Sequence, residues 1–217
     1  MEIQGSAVIQ EQRWHWGRVA SGMACLLLLL GGVAVQPAVA GGATEAMKST
    51  IDEVLQIVQD KELKQPGKTE ERRQRLEQVI GDRFDYPEMS RRALGAPWNT
   101  LSDKDKQEFV VLFKTLLTNS YADKIETYSG EGVQYINERT EKDYAEVRTK
   151  VLTGKTEVPL DYRLLNKGGD WRVYDVVVDG VSLVNNYRGQ FSKILRTSTF
   201  ADLMDQLRKK SDKIKAP

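Results

Sequence analysis

Apolar residues recur at helical spacing through the first half of the chain. Steps of three and four residues predict helices over residues 44–64, 69–84 and 86–94. A longer helix is predicted over residues 102–128 and begins at a Ser-x-x-Asp motif that resembles a capping box. Its apolar stripe is wide and partly aromatic: Phe109, Phe113, Leu116, Leu117, Tyr121, Ile125 and Tyr128.

The second half of the chain changes to a period of two, which is typical of strands. Strands are predicted over residues 133–137, 144–152, 158–165 and 171–178. The turns between them are short, so the sheet should be antiparallel. Helical spacing then resumes and continues to about residue 210.

The strand at 171–178 is apolar on both sides. Strict alternation places Val173 and Val177 on one face, and Tyr174, Val176 and Val178 on the other. A strand that is apolar on both sides needs cover on both faces. We therefore expect it to lie centrally in the sheet.

The order of the elements is helices, then an antiparallel sheet, then helices, which predicts an α+β fold. We expect a curved antiparallel sheet of about four strands wrapped by several helices. A sheet of this kind can leave an apolar cavity between itself and the helices. Whether side chains fill that space is the functional question.

The N-terminus has the pattern of a secretory signal peptide. Arg13 and Arg18 supply positive charge, residues 19–35 are apolar, and Ala38-Val39-Ala40 is a small-x-small cleavage motif. The alternative is a membrane anchor, but the run is at the short limit of the roughly 17–25 residues that a spanning helix needs. We expect cleavage after Ala40, which leaves one domain over residues 41–217.

Cleavage would remove His15 and Cys25, the single histidine and the single cysteine of the chain. Catalysis by Ser-His-Asp or Cys-His groups is then excluded, as are zinc sites built from Cys and His. An enzyme would depend on carboxylates, Lys, Arg or Tyr. The formal net charge is +1, and basic residues are mixed with acidic ones through most of the chain. No nucleic-acid partner is expected.

Four stretches, taken in order, resemble the MlaC family, also known as toluene-tolerance auxiliary proteins. They are FDYPEMSRRALG at 84–95, QEFVVLFKTLL at 107–117, LDYRL at 160–164 and WRVYDVVVDGVSLV at 171–184. Each stretch alone is weakly specific, and their combination over some 125 residues is strong.

The resemblance implies a periplasmic phospholipid carrier that is not an enzyme. Such a carrier shuttles lipid between an outer-membrane lipoprotein and porin complex and an inner-membrane ABC-transporter complex, and so maintains the lipid asymmetry of the outer membrane and tolerance to organic solvents. It needs no cofactor, since the phospholipid is its cargo, and a monomer is expected.

With this resemblance, the apolar stripes become candidate walls of a lipid pocket. We predict one wall on the strands and the opposite wall on the long helix, with Tyr187 and Arg188 near the mouth and Arg188 available to a phosphate. The alternative is that the stripes form an ordinary core. The predicted lipid-binding residues are Phe109, Phe113, Leu117, Tyr121, Val147, Val151, Leu160, Tyr162, Leu164, Val173, Val177, Tyr187 and Phe191.

Two other functions stay open from the sequence. One is an enzyme that uses Asp161 or Asp175 as a base. For Asp175, a structural hydrogen bond to backbone or to an arginine such as Arg163 is the favoured interpretation, because a charge on an apolar strand needs a partner. The other function is an adaptor that docks membrane complexes and holds no ligand.

Overall fold

The computed structural model describes residues 42–128, 130–154 and 156–215. Helices form where the apolar residues follow helical spacing. They are α1 (Gly42–Gln59), α2 (Thr69–Arg83), α3 (Tyr86–Leu94), a short 3₁₀ helix (Ala96–Thr100), α4 (Asp103–Glu126), α5 (Leu183–Leu195) and α6 (Phe200–Lys215). The predicted signal peptide at 1–40 lies outside the described residues. In the described part, no helix is long and apolar enough to span a membrane.

Local capping explains where several helices begin and end. The side chain of Asp85 accepts a hydrogen bond from the Glu88 amide at 3.1 Å and caps α3. Ser102 accepts one from the Asp105 amide before α4, as its motif predicts. Ser182 does the same for the Asn185 amide of α5. Gly95 ends α3 with a φ of 71°, a conformation that side chains other than glycine rarely adopt.

The sheet is antiparallel, and its strands follow chain order. The strands are β1 (Val133–Glu141), β2 (Tyr144–Thr153), β3 (Thr156–Lys167), β4 (Asp170–Val178) and β5 (Val181–Ser182). The predicted α+β class is confirmed. The two-residue β5 adds a fifth strand to the four expected.

β4 has cover on both faces, as predicted, but it is not central. It pairs with β3 along its length, whereas β5 pairs only with Val177 and Val178. At the other end of its outer edge, the Asp85 amide donates a hydrogen bond to the Val173 carbonyl oxygen at 2.8 Å. The segment that enters α3 therefore protects an edge that would otherwise expose unpaired backbone groups.

A β-bulge changes which residues of β4 share a face of the sheet, so the predicted pairing of Val173 with Val177 on one face is wrong. Arg163 pairs with Asp175 and Leu164 pairs with Val173, so Tyr174 is an extra residue without a partner on β3. The extra residue reverses the alternation, and Val173 therefore shares its face with Val176 and Val178. Val177 lies on the opposite face, with Asp175.

The buried apolar side chains form two clusters. The sheet–α1 cluster joins α1, from Ala43 to Leu55, to one face of the sheet. The helix cluster joins α3, α4, α5 and α6. Phe84 packs against both clusters.

Asp85 connects the helices to the sheet, so its replacement should lower stability. Asp85→Ala removes the cap of α3 and the partner of Lys167. We expect the free energy of unfolding to fall by about 1–2 kcal/mol, measured by urea denaturation. The control is Asp52→Ala on the exposed side of α1, which should stay within about 0.5 kcal/mol. Equal losses in both variants would contradict this role for Asp85.

Candidate functional site

One face of the sheet, here called the apolar face, packs against α1. Strand register places its residues side by side across four strands. They are Val133, Tyr135, Glu138 and Thr140 on β1, Ala145, Val147, Thr149 and Val151 on β2, Val158, Leu160, Tyr162 and Leu164 on β3, and Val173, Val176 and Val178 on β4. Aliphatic groups predominate, so the face suits an apolar partner.

Helix α1 crosses this face from one corner of the sheet towards another. Gly42 lies against the indole of Trp171. The Thr44 amide donates a hydrogen bond to Glu138 at 2.8 Å and so ties the first turn to β1. At the other end, the Gln59 side-chain amide donates to the Gly130 carbonyl oxygen at 3.2 Å. The hydrophobic side chains between these ends, notably Met47 and Ile51, are buried against the strands.

Burial by α1 is complete over part of the apolar face and partial over the rest. Val147, Leu164 and Val173 are each 0% exposed. Val151 and Leu160, further along the same strands, are only half-buried. The apolar face therefore continues beyond its cover as a strip of accessible aliphatic side chains.

The polar groups of the apolar face are few, and the one carboxylate among its described residues, Glu138, accepts the hydrogen bond from Thr44 of α1. The Thr149 hydroxyl donates its hydrogen bond to the Leu160 carbonyl oxygen. Burial raises the pKa of the Tyr162 phenol. It also raises the pKa of Tyr135 to about 12, with a smaller contribution from the charges of Asp52 and Glu45. The Tyr135 hydroxyl is buried with no hydrogen-bond partner among the described residues. Both phenols are neutral at physiological pH.

The aromatic stripe of α4 does not face the strands. Phe109 and Phe113 are fully buried in the helix cluster, with ring centroids 5.9 Å apart. Phe191 meets both rings edge-on at 5.6 and 5.5 Å, and Tyr187 meets Phe113 edge-on at 5.2 Å. Rings in this arrangement pack as a structural core. The two predicted walls thus belong to two different clusters, because α4 packs on α3, α5 and α6 rather than on the sheet.

The predicted site residues accordingly divide into three groups. Those on the apolar face are Val147, Val151, Leu160, Tyr162, Leu164 and Val173. Those in or against the helix cluster are Phe109, Phe113, Leu117, Tyr121, Tyr187 and Phe191. Val177 and Arg188 lie elsewhere: Val177 on the other face of the sheet and Arg188 on α5 beside Gly95.

A model of the family described as MlaC protein matches residues 48–209, which is more than half of the chain. This chain belongs to the MlaC family. The resemblance carried by the four sequence stretches is confirmed.

Two curated relatives match over part of their length. The intermembrane phospholipid transport system binding protein MlaC of Haemophilus influenzae is 26% identical over 101 residues, which cover 44% of this chain and 47% of the relative. The toluene tolerance protein ttg2D of Pseudomonas putida is 25% identical over 124 residues, which cover 56% of this chain and 58% of the relative. The chain spans about half the length of the curated relatives that it matches.

A solved structure shares the fold over most of this MlaC-family chain. It is the phospholipid-binding protein from Ralstonia solanacearum in complex with a phospholipid. The two chains are 27% identical with a TM-score of 0.72, and the match covers 79% of this chain and 98% of the other.

Asp175, one of the two candidate bases, is held in a structural network. Its carboxylate accepts hydrogen bonds from Arg163 at 3.1 Å, from the Ser182 hydroxyl at 2.7 Å and from the Val184 amide at 3.1 Å. The expected bond to Arg163 is confirmed. A carboxylate with three donors joins β3, β4 and α5 and has little freedom to act as a base.

The network continues across the sheet to Glu146 on β2. Arg163 also donates to Glu146 at 3.3 Å, and Arg148 donates to it at 2.9 Å. Partial burial opposes ionisation of Glu146, but the hydrogen bonds from the two arginines outweigh it and lower its pKa. Asp161, the other candidate base, lies opposite Arg148 on the same face. In the described part of the chain, no group of His, Cys, Asp or Glu residues is arranged to hold a metal ion.

Sequence reasoning missed the residues of α1 that cover the apolar face. The helical pattern of residues 44–64 identified an amphipathic helix, and Met47 and Ile51 were on its apolar side. Periodicity shows that a helix has a buried side but not which surface it packs against. Met47, Ile51 and Leu55 are therefore added to the candidate site.

The network of Asp175 predicts that replacing Asp175 destabilises the fold much more than replacing Asp161, which lies on the same face of the sheet. Asp175→Ala leaves Arg163, Ser182 and the Val184 amide without their acceptor, and should lower the free energy of unfolding by about 2–4 kcal/mol. The matched control Asp161→Ala, at a less buried position on β3, should cost less than about 1 kcal/mol. Chemical denaturation at neutral pH measures both values. Similar losses would show that the network does not hold the sheet to α5.

Proposed function

We propose that this MlaC-family protein is a phospholipid carrier that holds acyl chains against the apolar face of its sheet. The observation that carries the proposal is the match to the phospholipid-bound protein of Ralstonia solanacearum, which extends over 98% of that chain. A shared fold over nearly the whole of a lipid-binding protein makes the same class of ligand the first candidate for this chain.

The chemistry of the apolar face supports this proposal. Transfer of acyl chains out of water stabilises them by about 0.8 kcal/mol per CH₂ group, which is on the order of 20 kcal/mol for two ordinary chains. A carrier must offer a comparable apolar surface without binding so tightly that release stops. The half-buried strip at Val151 and Leu160 provides aliphatic contact next to a face that is already closed by α1.

The proposed route places the protein between the two membranes of a Gram-negative cell. The predicted signal peptide would deliver residues 41–217 to the periplasm. The names of the two curated relatives refer to intermembrane phospholipid transport and to toluene tolerance, which agrees with a carrier that maintains the lipid asymmetry of the outer membrane. Its partners in this proposal are an inner-membrane ABC-transporter complex and an outer-membrane lipoprotein and porin complex, and it acts as a monomer.

The proposed role is transfer of lipid rather than its chemical conversion. Asp175 is engaged by three hydrogen-bond donors, and Asp161 faces Arg148 across the strands. Carriage needs no group that exchanges protons with the lipid, and it fits an apolar face whose phenols are neutral.

The proposal predicts that a charge placed in the half-buried strip removes the lipid. The protein isolated from exporting cells should carry phospholipid, detected by native mass spectrometry and by lipid extraction. Leu160→Glu would bury a carboxylate against acyl chains at a cost of several kcal/mol. We expect its lipid content to fall by about tenfold or more, while circular dichroism stays that of the parent protein.

The matched control is Ile136→Glu. Ile136 is also an aliphatic residue on a strand, but it is 56% exposed. This variant should retain its lipid. Lipid-free parent protein from repeated mild extraction would reject the carrier and favour the ligand-free adaptor. Equal lipid content in the two variants would reject the apolar face as the binding surface.

A further inference from the structure

A basic cleft lies on the side of the sheet opposite the apolar face. Two adjoining hollows, of about 310 and 250 Å³, share Arg92 and Arg188. Their lining also includes Arg91, Asn99, Arg163, Tyr174, Asp175 and Asn185. Arg163 and Asp175 alternate with Leu164 and Val176 along the strands, so the cleft and the apolar face are separated by the sheet.

Most of the lining arginines already have carboxylate partners. Arg91 and Arg92 share Glu88, at 2.6 and 2.7 Å. Arg163 is divided between Glu146 and Asp175. These pairs fix the guanidinium groups around the cleft. Asp175 is the one carboxylate among the described residues that line it, and it is already bonded to Arg163, Ser182 and the Val184 amide.

Arg188 is the remaining arginine of the cleft lining. In the described part of the chain, no Asp or Glu lies within ion-pair distance of its guanidinium group. A Cβ atom at position 95 would lie 3.2 Å from Arg188 Nε and 3.4 Å from Nη2, so the guanidinium group of Arg188 lies close to the backbone at the end of α3. Arg92 is held nearby with its guanidinium group 4.0 Å from the centre of the Tyr174 ring.

We infer that this cleft binds a phosphate-type oxyanion, with Arg188 as its main ligand and Arg92 beside it. Guanidinium groups suit phosphate because their parallel N–H groups can donate to two oxygens at once. Asn99 and Asn185 also line the cleft, and their side chains carry neutral donors. A free phosphate and the headgroup of a membrane lipid offer the same chemistry. This site is distinct from the apolar face and does not depend on the proposed acyl-chain site.

The test is a titration of the isotope-labelled protein with inorganic phosphate, at an ionic strength held constant with chloride, followed by NMR. Amide signals at residues 91–96, 98–99 and 184–188 should shift with saturation. Arg188→Gln should weaken phosphate binding by about tenfold, because it removes the charge and the paired N–H donors of the main ligand. Arg188→Lys keeps the charge but loses the two-pronged geometry, and should give a smaller loss. The control is Arg139→Gln, which removes the same charge at a side chain that is 78% exposed and should leave the affinity unchanged.

Co-sedimentation with phosphatidylglycerol vesicles separates the two sources of phosphate. Weaker vesicle binding of Arg188→Gln than of Arg139→Gln identifies a membrane headgroup as the ligand, whereas equal vesicle binding identifies a soluble phosphate species. The proposal is overturned when inorganic phosphate causes no saturable shifts, or when Arg188→Gln and Arg139→Gln bind it equally.

The phospholipid content of the same variants distinguishes a failure of the phosphate-site proposal from a failure of the carrier proposal. Arg188→Gln should carry as much lipid as the parent, because the sheet separates the cleft from the acyl-chain surface. A loss as large as that of Leu160→Glu would contradict two separate sites.

Discussion

The packing of α1 on one face of the sheet is the interaction on which the rest of this structure depends. Burial of each large aliphatic side chain contributes about 1.5–3 kcal/mol, and α1 buries Val147, Leu164 and Val173 completely. It leaves Val151 and Leu160 half-covered. A fully closed face would be only core, and a fully open one would promote association between molecules. Partial cover provides both a stable fold and an apolar surface that a ligand can reach.

The second determinant is the separation of an apolar face of the sheet from a face that carries a network of charged side chains. The bulge at Tyr174 places Val173 and Val176 on the apolar face and Asp175 on the other, although all three belong to one strand. Charged groups can then join β2, β3, β4 and α5 through Glu146, Arg163 and Asp175 without reaching the apolar face. The same division leaves arginines around a cleft that is remote from the proposed lipid surface.

Local features were predictable from the sequence, and long-range ones were not. The limits of α3 follow from Asp85 and Gly95, which act within a few residues. Asp175 was also predictable, since a charge on an apolar strand needs a nearby partner. The bulge was not, because alternation assumes an unbroken ladder, and Val177 was therefore assigned to the wrong face. The stripe of Phe109 and Phe113 showed a buried side of α4, but its partners lie on helices far along the chain.

In the proposed carrier, acyl chains lie on the apolar face rather than in the helix cluster. Loading the protein with a phospholipid that carries a nitroxide near the end of one acyl chain tests this directly, because the label broadens the NMR signals of nearby amides. Acyl chains on the apolar face should cause strong broadening at Val151 and Leu160 and little at Phe109 and Phe113. Broadening that is equal or stronger in the helix cluster would contradict this placement.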